Sequence, residues 1–126
     1  MHVEFILYVA DQERSKRFYA DLLDQQPSLD VPGMTEFTLR DGCKLGLMPE
    51  NGIARIISGP LPHPSKAQGV PRCELYLLVK DLEAAMGAAD KAGARTVDTA
   101  KDRDWGHRVA YFADPDRHVV ALACPL

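Results

Sequence analysis

The stretch Val3-Glu4-Phe5-Ile6-Leu7-Tyr8-Val9-Ala10-Asp11 is the key to the architecture, because the chain repeats its pattern at Cys73-Glu74-Leu75-Tyr76-Leu77-Leu78-Val79-Lys80-Asp81. Each copy is an apolar, strand-like run closed by an aspartate of the kind that caps a helix. Glu4 and Glu74 fall at matching places in the two copies. A strand this apolar is expected to be covered on both faces, where an ionised carboxylate is costly unless it is paired or keeps its proton. Two such carboxylates at equivalent positions point to a site.

After the first strand, Asp11 caps a helix over 12–23. Phe18, Tyr19, Leu22 and Leu23 fall on one stripe of it, and Arg14, Lys16, Arg17 and Asp21 turn to water. Asp30, Pro32 and Gly33 punctuate the segment beyond that helix. Glu36-Phe37-Thr38-Leu39 and Lys44-Leu45-Gly46-Leu47-Met48 then flank Arg40-Asp41-Gly42-Cys43, an Asp-Gly hairpin signal. Residues 49–71 hold five of the nine prolines and connect the two halves. Ile53, Ile56 and Ile57 inside this connection are expected to form a short strand or cover apolar surface rather than stay in water.

The second copy starts a strand at 74–79, with Asp81 as the cap of a helix whose face carries Leu82, Ala85, Met86, Ala89 and Ala92. Gly93 ends that helix in the left-handed position. Thr96-Val97 reads as a short strand, 106–112 as a longer one and 118–123 as the last, joined by Asp114-Pro115-Asp116-Arg117. The order is β-α-β-β-β twice. The expected class is α+β, one domain over 1–126, with module one at about 1–57 and module two at about 72–126.

Composition narrows the partners. A net charge of −3, a pI near 5.7 and scattered Lys and Arg give no basic surface, so nucleic acid is not expected. No apolar run reaches the roughly 18 residues of a membrane span and no leader pattern opens the chain, so a cytoplasmic protein is expected. Cys43, Cys73 and Cys124 are odd in number and lack metal-type spacing, which suggests neither a disulfide framework nor a zinc cluster. No motif places a base beside a nucleophile, and no glycine-rich phosphate loop is present.

Leu7-Tyr8-Val9-Ala10-Asp11-Gln12-Glu13-Arg14-Ser15 with Phe18-Tyr19 and Leu22-Leu23 carries a resemblance, as do Trp105-Gly106-His107-Arg108, Phe112-Ala113-Asp114-Pro115-Asp116 and Leu122. On these residues the chain resembles the vicinal oxygen chelate superfamily, the group of glyoxalase I, extradiol dioxygenases and bleomycin-resistance proteins. The resemblance implies two βαβββ modules whose curved mixed sheet surrounds a U-shaped cleft, and in many members a homodimer. Arg117 stands where the family usually has glycine; a left-handed backbone there costs a non-glycine residue about 1 kcal/mol, and an altered turn is expected.

Metal-dependent members hold up to four ligands on the cleft floor. The resemblance carries these positions to Glu4, Gly46, Glu74 and Ala121, of which only the glutamates have donor side chains. Two carboxylates make a poor cage for zinc, nickel or iron, which want nitrogen or sulfur ligands among at least three. No cofactor is therefore expected, and a divalent metal is disfavoured; His107, His118 or a partner subunit would have to complete such a site.

Strand alternation places Glu4, Ile6 and Tyr8 on one face and Glu74, Tyr76 and Leu78 on another, both expected to line the cleft, with Val3, Phe5, Leu7 and Val9 against the helix. Trp105 is expected to wall the pocket or anchor its loop. Arg108, sharing a face with Ala110, is the expected partner for a glutamate. The leading expectation is a bleomycin-resistance-like protein that sequesters a flat, aromatic or cationic small molecule. The alternatives are a metal-dependent lyase, isomerase or dioxygenase, and a metal-free acid–base enzyme using Glu4 or Glu74.

Overall fold

The repeated motif becomes two four-stranded mixed sheets of the same strand order in the computed structural model, which describes residues 1–126. The residues group into two units, Met1–Ala20 with Gln25–Gln68, and Asp21–Asp24 with Gly69–Leu126.

The first unit contains β1 (Val3–Val9), the start of α1 (Gln12–Leu23), β2 (Leu29–Val31), β3 (Met34–Arg40), β4 (Cys43–Pro49) and α2 (Glu50–Ile57). Its strand order is β1-β4-β3-β2, with β1 parallel to β4 and the other pairs antiparallel. The Asp41-Gly42 turn joins β3 to β4, and Gly42 has the positive φ of 74° that only glycine adopts freely. Asp11 accepts the Arg14 N–H at 2.9 Å, capping α1 as its position in the sequence requires. From the first turn of that helix, Gln12 donates to the Val31 carbonyl and to Thr35 Oγ1, and its own carbonyl accepts the Gly33 N–H. One amide thus pins the β2–β3 hairpin to the helix start. Leu45, Leu47, Phe37 and Val9 are fully buried in this unit.

Two expectations fail in this unit. Of the two alternatives for Ile53, Ile56 and Ile57 the short strand fails, since they lie on α2, which packs against β1 and β4; Glu50 in its first turn and Arg55 in its last suit the helix dipole, and Ala54 is its buried residue. β2 is a strand in a stretch whose Asp, Pro and Gly content signals only a turn, since Thr35 and Gln12 supply its polar partners.

The second unit contains β5 (Glu74–Leu78), α3 (Leu82–Lys91), β6 (Arg95–Asp102), β7 (His107–Ala113) and β8 (Val119–Pro125), ordered β5-β8-β7-β6. Asp81 caps α3 by accepting the Ala84 N–H at 3.0 Å, and Gly93 follows the helix at φ 79°. β6 runs eight residues rather than the two read from Thr96-Val97, because it follows β7 through two register shifts. The turn before β8 keeps its left-handed residue despite the missing glycine: Arg117 has φ 67°. Asp114 holds that turn, its Oδ1 accepting the N–H groups of Asp116 and His118 while its Oδ2 lies 2.8 Å from His118 Nδ1. His118 therefore belongs to the turn rather than to a strand, and it does not pair with His107.

β1 and β5 are edge strands, and the exposure of their side chains overturns the expectation of strands covered on both faces. Glu4, Glu74, Phe5, Ile6, Tyr8 and Leu78 are all exposed, while Leu7 and Val9 are buried as their alternation requires.

Candidate functional site

In the first unit, Glu4, Ile6 and Tyr8 share a face with Lys44, Gly46 and Met48 of β4 and with Glu36 of β3, to which the register pairs them. Gly46 governs the arrangement there. A β-carbon on it would stand 2.6 Å from Glu4 Oε1, so the carboxyl of Glu4 leans along the sheet into the space glycine leaves. It bonds to the carboxyl of Glu36, and Glu36 Oε1 in turn takes a bond from Lys44 Nζ at 3.1 Å. Two carboxyls in contact favour a shared proton. Partial burial first, and then the bond to Glu36, raises the pKa of Glu4; Glu36, only 14% exposed, is lowered by its bond to Glu4.

In the second unit, Ala121 of β8 lies in register with Tyr76 of β5 on one side and Tyr111 of β7 on the other. The two tyrosines pack on a floor of Val109, Ala121 and Ala123, all fully buried. Glu74 and Leu78 share that face. The Tyr76 hydroxyl oxygen lies 2.8 Å from His107 Nδ1 and accepts the indole N–H of Trp105 at 3.0 Å. Trp105 reaches it from the turn that joins β6 to β7, where Arg103 N–H donates to the His107 carbonyl and Gly106 takes φ 89°. Trp105 as a whole is 52% exposed.

Arg103, from the same turn, lies over the Tyr111 ring at 5.2 Å from its centroid. Its Nη2 donates to Asp98 Oδ2 and to the Val109 carbonyl, and its buried Nε has no partner. Burial first, and then the negative charge of Glu74, raises the pKa of Tyr111 against the opposing pull of Arg103.

Arg108 corrects the reading of the sequence. It pairs across to Cys124 on the side of the sheet opposite Tyr76 and Tyr111, and its guanidinium donates to Asp102 Oδ1 at 2.7 Å rather than to Glu4 or Glu74. The arginine on the tyrosine face is Arg103. Sequence reasoning missed it because it sits in a turn, outside any alternation, and missed Glu36 because its importance comes from β3 lying beside Gly46. Tyr111 was missed as well, because the sequence reading put Arg108 and Ala110, not Val109 and Tyr111, on the site face of their strand.

A model of the glyoxalase-like domain matches residues 2–126. The chain belongs to this family, which lies within the vicinal oxygen chelate superfamily. It is 27% identical over 123 residues to an uncharacterized protein of Mycobacterium tuberculosis, a match spanning 95% of this chain and 72% of that protein. Among solved structures, a glyoxalase-related enzyme from Fulvimarina pelagi aligns with a TM-score of 0.82 at 20% identity, over 98% of this chain and 87% of that one. A glyoxalase/bleomycin resistance protein from Catenulispora acidiphila aligns with a TM-score of 0.72 at 19% identity, over 100% and 99% of the two chains. At these identities the structural likeness concerns the fold.

Proposed function

We propose that the protein binds a flat, aromatic or cationic small molecule on the tyrosine-bearing face of its second unit, without chemistry on it. The observation that carries this is Trp105, half-exposed as a whole and tethered by its indole N–H to Tyr76 beside Tyr111 and the exposed carboxylate of Glu74. Aromatic faces supply stacking area at low entropic cost, and a neighbouring carboxylate favours a cation. Leu78, on the same face, adds apolar area.

The donor set at Glu4, Gly46, Glu74 and Ala121 supports a metal-free reading of those four positions. Gly46 and Ala121 offer no side-chain ligand; Glu4 fills the space above the first and two tyrosines flank the second. Glu4 and Glu36 with an ammonium group beside them suit a proton better than zinc or iron, which want nitrogen or sulfur donors. We extend the proposal to a homodimer, because β1 is an edge strand whose Phe5 leaves 59% of its surface in water.

Trp105 is the sole tryptophan, so its fluorescence reports on this face alone. Titration with a panel of cationic aromatic antibiotics, repeated by calorimetry, should find at least one that quenches it with one-to-one stoichiometry. Trp105→Ala should weaken that binding by roughly tenfold. Silence across the panel in both measurements would refute the proposal.

A further inference from the structure

The hydrogen bonds around Tyr76 favour one placement of the ring proton of His107 over the other. An indole N–H can only donate, so Trp105 occupies one lone pair of the Tyr76 oxygen. The phenol still has its own proton to place, and His107 Nδ1 lies 2.8 Å away. When Nδ1 accepts that proton, the indole N–H and the phenol O–H are both satisfied and the ring hydrogen resides on Nε2. The other neutral tautomer would point two N–H groups at one phenolic oxygen and leave the phenol proton with only solvent as its acceptor. An imidazolium also carries hydrogen on Nε2. Nε2 itself has no partner in the chain and is not fully buried, His107 being half-buried as a whole.

We infer that His107 Nε2–H is a specificity-determining donor that selects, among flat aromatic ligands, those bearing an acceptor oxygen such as a carbonyl or carboxamide on the ring. This rests on the ligand-binding reading above and adds the chemical class of the ligand. Trp105 and Tyr76 are positioning residues here: the indole holds the phenol, the phenol fixes the tautomer, and the imidazole presents an N–H outward. A polar group that meets its partner on binding discriminates more sharply than apolar area does, because the ligand lacking it leaves the donor unpaired.

A matched pair of probes tests this: 1-methylquinolinium and 3-carbamoyl-1-methylquinolinium, which differ by one carboxamide. Calorimetry on the full chain should give about tenfold tighter binding for the carboxamide. His107→Phe, which keeps ring area and loses the donor, should bring the two probes to equal affinity. Tyr76→Phe should leave an advantage of about threefold, since the tautomer is then unfixed. Independently of ligand, nitrogen-15 shifts of the His107 ring should show a protonated Nε2 and an acceptor Nδ1, and Tyr76→Phe should move both towards averaged values. Equal affinities in the wild type, an advantage that survives His107→Phe, or a ring protonated on Nδ1 alone would each overturn the inference and leave ligand binding standing. Failure of both probes to bind the wild type would overturn both.

Discussion

Glu4 lies over Gly46, its Oε1 2.6 Å from where a β-carbon of residue 46 would stand. The absence of one carbon atom on β4 thus lets a carboxyl from β1 reach Glu36 on β3, one strand further across the sheet. The glycine is a steric permit for a carboxyl pair.

Gly46→Ala should break that pair. The Glu4 side chain can swing away, but Ile6 Cγ1 at 3.1 Å and Met34 Sδ at 3.3 Å must also give. We expect a loss of about 1 kcal/mol in urea unfolding, as for mild overpacking. Carbon-13 titration should show the Glu4 carboxyl returning towards the ordinary glutamate range. An unchanged titration in the variant would refute the steric account.

Arg103→Lys should destabilise the second unit by about 1–2 kcal/mol, because an ammonium cannot serve Asp98, the Val109 carbonyl and the Tyr111 face together. Losing the unpartnered Nε offsets part of this, so the net cost stays below that of Arg103→Ala. Chemical unfolding of the two variants measures the order; Lys no better than Ala would show that the fork geometry is irrelevant.

Acid should weaken the fold through depressed carboxylates. The Asp98 pKa is lowered, first by Lys101 and then by Arg103; that of Asp30 is lowered by Lys16 and then Thr35; that of Glu36 is lowered, with Glu4 the largest cause. A group lowered in the folded state binds protons less there than when unfolded. Its contribution is therefore present above the unfolded value, about 4, and lost as pH falls through the folded one. Glu4, which is raised, opposes this: its contribution is present at low pH and lost as pH rises through its folded value. Unfolding free energy should fall steadily below about pH 4, and less steeply in Asp98→Asn. An identical slope in that variant would contradict the assignment.

Arg117→Gly should stabilise the protein by up to about 1 kcal/mol, since Arg117 holds φ 67° at a strain that glycine does not feel. Gly69→Ala should do the reverse. Residue 69 has φ 74°, and a β-carbon there would meet Arg117 Cδ at 2.5 Å. Thermal unfolding of the two variants should move in opposite directions.

Homodimer formation is checked by sedimentation. Phe5→Glu should shift the protein to monomer, with an unfolding midpoint that no longer depends on protein concentration, if the exposed edge is the contact; a monomeric wild type refutes the homodimer.

The two matching halves were legible in the chain alone, because strand alternation, helix caps at Asp11 and Asp81, and the Asp41-Gly42 and Gly93 stops are local rules that short peptide segments obey. The equivalence of Glu4 and Glu74 was legible in the same way, whereas the significance of Gly46 and Ala121 came only with the family resemblance. Whom those residues meet was settled by tertiary structure. Glu36 reaches Glu4 because β3 lies beside β4, and Arg103 covers Tyr111 from a turn that no periodicity describes. Arg108 turns to Asp102 because strand pairing, set by contacts remote in sequence, assigns it to the other side of the sheet. Periodicity tells which residues share a strand face; the choice of neighbouring strand is a long-range packing outcome, and that choice set the chemistry of both faces.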